Sequence, residues 1–90
     1  METSSKLTVE SLIKNQPVII RENSKEIKTY SVIIYTSDIL ALEKEKVRIQ
    51  SKSKDFVTAL ITPDELEGIY QTKGVISIEL PSYNTTNATF

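Results

Sequence analysis

The stretch KTYSVIIYT, Lys28–Thr36, decides how the chain folds. Side chains along an extended strand alternate between faces, so Tyr30, Val32 and Ile34 share one side while Ile33 and Tyr35 take the other. β-branched and aromatic residues dominate it, and these fit a pleated surface better than a helix. A strand that is apolar on both faces belongs in the middle of a sheet. Its neighbours are therefore sought among the other short β-branched runs.

Four such runs flank it. PVIIR (Pro17–Arg21) begins with a proline, placed where a ladder N–H is least missed, and the polar stretch from Arg21 to Glu26 forms a turn into the long strand. KVRIQS (Lys46–Ser51) alternates, with Val47 and Ile49 inward and Lys46, Arg48 and Gln50 outward. FVTALI (Phe56–Ile61) follows the polar SKSKD turn, which makes the pair a hairpin. VISIEL (Val75–Leu80) places Ile76, Ile78 and Leu80 on one face and stops at Pro81. KLTVESLI, residues 6–13, fits either a sixth strand or a short helix.

Two helical turns fit between the strands. In TSDILALEK, Ser37 is an N-cap candidate and Asp38 an acid in the first turn, where the helix dipole favours negative charge. TPDELEG is a stronger signal, because Thr62 and Glu65 make a T-x-x-E capping box around Pro63, with Gly68 as the stop. The expected fold is mainly β: a small six-stranded barrel with short helical turns, since closure removes the exposed edges of a short chain.

The 90 residues make one domain, spanning 1–90 with 1–6 and 84–90 as frayed ends. A chain of this size buries roughly 60–70% of its unfolded surface, enough for one core. Its 39% hydrophobic and 26% charged content is that of an ordinary globular domain. Cysteine and histidine are both absent, which excludes thiolate chemistry, disulfides and imidazole ligands, and argues against a free-standing catalyst. A net charge of −1 disfavours general nucleic-acid binding. No run approaches the ~20 residues of a membrane span and no signal sequence is evident, so a cytoplasmic location is expected. Asn84-Thr85-Thr86 and Asn87-Ala88-Thr89 fit the N-glycosylation pattern, but without an export signal these sequons are incidental.

From Tyr35 onward, the order of elements resembles the molybdopterin-dinucleotide-binding family, in particular the small D subunit of formylmethanofuran dehydrogenase. Asp38 matches the acid that opens that family's first helix, and Leu40 or Leu42 the leucine after it. KVRIQS matches its V-x-V strand, TPDEL its threonine-led turn, KGVISIEL its Gly-led strand and SYNTTN its aromatic and asparagine tail. The resemblance implies a double-psi β-barrel. It also implies a non-catalytic small subunit that holds the dinucleotide arm of a molybdenum or tungsten pterin, molybdopterin guanine dinucleotide, for a catalytic oxidoreductase subunit. The implied contacts are Asn15, Gln16, Tyr83, Asn84 and Asn87. The sequence departs from the family where its Gly-Asp turn is replaced by Glu43–Lys46, and the chain holds only two glycines, Gly68 and Gly74.

Each candidate contact has a plainer account. Asn15 and Gln16 fit a turn before Pro17, and the tail residues fit a chain end. Lys44, Lys46, Arg48, Lys52 and Lys54 form a basic segment, but Glu43, Glu45 and Asp55 are interspersed and compensate it. Asp64, Glu65 and Glu67 are explained by a helix start and need no metal. Two further readings follow. One is a cofactor-free β-barrel that binds another protein, in the manner of AAA ATPase N-domains. The other is a β-barrel DNA-binding regulator using Lys46, Arg48, Lys52 and Lys54.

Overall fold

The computed structural model describes residues 6–81. The elements run α1 (Val9–Ile13), β1 (Val18–Glu22), β2 (Lys25–Thr36), α2 (Ile39–Lys44), β3 (Arg48–Lys52), β4 (Phe56–Ile61), a 3-10 turn (Pro63–Glu65) leading into α3 (Leu66–Tyr70), and β5 (Val75–Glu79). The fold is mainly β: an antiparallel sheet curled into a half-barrel, with short helices.

β2 is the organising strand. Residues 30–35 pair with β4, and residues 33–36 pair with β5. Because those two ladders overlap on β2, β4 and β5 lie on opposite edges of it. The turn bonds agree, since Thr36 N–H donates to Asp55 O on the β4 side and Ser37 N–H to Gly74 O on the β5 side. β3 pairs with β4, giving the order β3-β4-β2-β5. β2, α2, β3, β4, α3 and β5 thus follow the β-α-β-β-α-β connectivity, with each helix crossing from one strand to the next-but-one.

Residues 25–29 of β2 extend beyond β4 and pair with β1 as a two-stranded ribbon. Its turn is the two-residue link Asn23-Ser24, with φ of 52° and 66°. Paired positive φ values are those of a type I′ hairpin turn, for which Asn is well suited.

The core lies on one side of the sheet. Val32 and Ile34 of β2, Val57, Ala59 and Ile61 of β4, and Ile78 of β5 are buried there against Leu12 of α1, Leu42 of α2, and Leu66 and Ile69 of α3. Each large apolar side chain fully buried contributes about 1.5–3 kcal/mol. The two buried threonines are satisfied: Thr29 Oγ1 donates to Val18 O at 2.8 Å, and Thr36 Oγ1 accepts from Asp38 N–H at 3.0 Å.

Several expectations are corrected. Five strands appear among the described residues in place of six, because the ambiguous N-terminal segment is a helix. Thr8 caps it, its side chain accepting from Ser11 N–H at 3.1 Å. The described strands form a half-barrel, in which β3 and β5 each keep an edge without a partner among the described residues. Asp38, not Ser37, caps α2, accepting from Ala41 N–H at 3.2 Å. α3 runs through Gly68 to Tyr70. Ile76 does not join Ile78 in the core, since a bulge opposite Tyr35–Thr36 inserts it as an extra residue and leaves it 71% exposed.

Gly74 has φ of 86°, and a Cβ there would meet Asp38 Cβ at 2.7 Å. It is the close-approach residue that lets β5 start beside the α2 cap.

Two substitutions follow. Ile34→Ala is expected to cost about 2–5 kcal/mol in urea unfolding, and Ile76→Ala within about 0.5 kcal/mol. Equal losses at both positions would contradict this assignment of the core.

Candidate functional site

Among the described residues, the helices pack on one side of the sheet and leave the second side open. Strand alternation and register place Ser31, Ile33 and Tyr35 of β2 on it, opposite Leu60, Thr58 and Phe56 of β4. All six are half-buried. Tyr35 and Phe56 form a cross-strand aromatic pair with ring centroids 5.6 Å apart at 53°, a tilted geometry that suits the ring quadrupoles. Ser77 and Glu79 of β5 flank them on one side, while Ser51 and Arg48 of β3 flank them on the other. Ser51 Oγ and Thr58 Oγ1 share a hydrogen bond of 2.7 Å. The two central strands therefore present aliphatic and aromatic groups with hydroxyls and no charge, and charged groups stand only at the margins. Solvated faces of antiparallel sheets ordinarily alternate to polar residues.

The ribbon rises at one end of this face. Ile27 and Thr29 lie on the same side of β2 as Ile33, and Ile20 stands opposite Ile27. Beyond them Glu22 meets Arg48. Arg48 Nε donates to Glu22 Oε2 at 2.8 Å and Nη2 to Oε1 at 3.0 Å. The third nitrogen, Nη1, donates to the Glu65 oxygens at 3.2 and 3.3 Å. One guanidinium thus fastens the ribbon tip, β3 and the turn before α3. Glu65 has a second task, accepting from Thr62 N–H at 3.0 Å as the capping pattern foretells.

Asn15 and Gln16, singled out in the sequence, lie elsewhere. Asn15 Nδ2 donates to Ser11 O at 2.9 Å and Leu12 O at 3.2 Å, closing the C-terminus of α1. Gln16 is exposed beside it. Tyr83, Asn84 and Asn87 fall outside the described residues. The basic segment is partly neutralised, because Lys52 pairs with Glu43 and Arg48 with two glutamates. Among the described residues there is no group of three or more acidic side chains placed to hold a metal ion, and no helix long and apolar enough to cross a membrane.

A surface cleft of about 660 Å³ lies between α2 and the turn into β5, lined by Asp38, Leu40, Lys44, Gln71 and Lys73. It is open and mixed in charge, with no convergent set of reactive groups. The apolar face was foreshadowed by Ile33 and Tyr35 in the sequence, whereas the Arg48 cluster was not. Its members lie 26 and 17 residues apart, and no local pattern links them.

The hydrogen bond from Arg48 holds the Glu22 carboxyl below its ordinary value, against an opposing contribution from desolvation and helped by the charge of Arg48. The stabilisation is complete above the unfolded-state value and fades as pH falls through the depressed folded-state value. In an NMR titration, the Glu22 side-chain carboxyl should have a midpoint below the ordinary value for a glutamate, and in Arg48→Met that midpoint should rise to the ordinary value or above it. An unshifted midpoint in the native chain would contradict the pairing.

No family model matches the chain, and neither a curated protein nor a solved structure does, so the likeness to molybdopterin-dinucleotide-binding proteins stands on its residues alone.

Proposed function

We propose that this chain is a cofactor-free protein-interaction module that docks a different protein against the open face of its sheet. The observation that supports this reading is the uncharged, aromatic-centred composition of that face. Interface cores are depleted in charge and enriched in aromatic residues, with polar groups at the rim. Ile33, Tyr35, Phe56 and Leu60 form such a centre, and Arg48 and Glu79 such a rim. A contiguous apolar patch is costly to leave bare.

The edges of the sheet favour a face-on contact. β5 is bulged at Ile76 and β3 at Gln50, and bulges discourage the addition of further strands. The partner's matching surface is accordingly apolar at its centre and polar around it. Among the described residues, Asn15 caps α1, and Arg48 and Lys52 are paired with carboxylates.

Affinity retention from the source cells tests this. Leu60→Lys should abolish retention of a partner that the native chain and a Leu40→Lys control both hold, with all three folded by circular dichroism. Leu40 lies on α2 and is 68% exposed, so the control adds the same charge on the helical side. Identical retention by all three proteins would overturn the docking face, as would light scattering that shows the face buried in a dimer of this chain. A pterin-dinucleotide holder makes the opposite prediction: retention indifferent to Leu60, and millimolar GMP shifting the amides of Asn15 and Gln16.

A further inference from the structure

We propose that Glu22, Arg48 and Glu65 form a latch that holds the β1–β2 ribbon over the open face and so sets the shape of the docking surface. The docking part of this rests on the function proposed above, but the latch itself does not.

Three observations support it. The ribbon is a separate ladder, because β1 pairs only with residues 25–29 of β2, and none of these pairs with β4 or β5. A two-stranded ribbon alone is marginally stable in water. Its attachment to the sheet is therefore a junction at Thr29–Tyr30, where two consecutive side chains are both buried and the strand passes from ribbon to sheet.

The ribbon also leans toward the open side. Ile20, Ile27 and Glu22 project from its inner surface, the same side of β2 as Ile33 and Tyr35. Glu22 could not otherwise reach Arg48, whose own position opposite Leu60 puts it on that side. In this posture Ile20 and Ile27 add an apolar wall to the end of the Ile33–Leu60 floor.

Finally, the fastening is asymmetric in charge. Two carboxylates converge on one guanidinium, Glu22 through two parallel hydrogen bonds and Glu65 through the remaining nitrogen. The forked geometry suits arginine and cannot be reproduced by the point charge of lysine. Without Arg48, Glu22 and Glu65 face each other as like charges. Loss of that one side chain thus turns an attraction at the ribbon tip into a repulsion.

Hydrogen exchange on the whole chain reads the latch directly. Arg48→Met should speed exchange of the ribbon amides between Val18 and Thr29 by about tenfold, with those of Val32, Ile34 and Ala59 unchanged. Glu22→Gln, which loosens the tip without leaving two carboxylates in contact, should give a smaller rise in the same segment. Unchanged ribbon exchange in both variants would overturn the latch. A uniform rise along the chain would do so too, since it would make Arg48 a support of the whole fold. Partner retention then separates the two proposals. A freed ribbon with retention intact refutes the coupling to docking and leaves the docking face standing, whereas retention untouched by Leu60→Lys refutes the face itself.

Discussion

Residues 33–36 of β2 are bonded along both edges, and the rest of the structure hangs on that arrangement. One strand fixes the positions of β4 and β5, and through β4 that of β3. The helices then have a single place to go. Leu42, Leu66 and Ile69 can bury their side chains only against the surface formed by Val32, Ile34, Val57, Ala59 and Ile78. With helices of five or six residues, hydrogen bonding within them is too little to sustain them alone. They persist because the sheet offers an apolar floor, because Thr8 and Asp38 satisfy N–H groups in the first turns of α1 and α2, and because Glu65 ties down Thr62 N–H in the turn that leads into α3.

A strand that is apolar on both sides needs two coverings, and the chain provides one in full. Among the described residues no further layer covers the second side, where Ile33, Tyr35, Phe56 and Leu60 remain half-buried. The ribbon covers one end of it and no more. Function is accordingly sought on this face, in binding to another protein, rather than in a pocket or a reactive group. The side chains that make it apolar are also good strand formers, so fold and proposed function draw on the same residues.

Much of this was legible in the sequence. The period-two pattern of Lys28–Thr36 identified both the central strand and the residues on each of its faces, and the T-x-x-E pattern located the turn at Thr62. The reading went astray where a longer-range effect decided the outcome. KLTVESLI fits a strand or a helix by its residues alone, and the Thr8 cap and the burial of Leu12 decide for the helix, which leaves five strands among the described residues. Ile76 follows the alternation of its neighbours in sequence, yet the bulge places it outside. The Arg48 cluster joins three elements distant in the chain, and only the curl of the ribbon brings Glu22 to it.

Methyl cross-saturation in the complex tests the central claim most directly. With the retained partner irradiated, the methyl signals of Ile33 and Leu60 should lose intensity while those of Leu40 and Ile76 keep theirs. Saturation arriving at Leu40 or Ile76, with Ile33 and Leu60 untouched, would place the interface on the other side of the molecule and contradict the account.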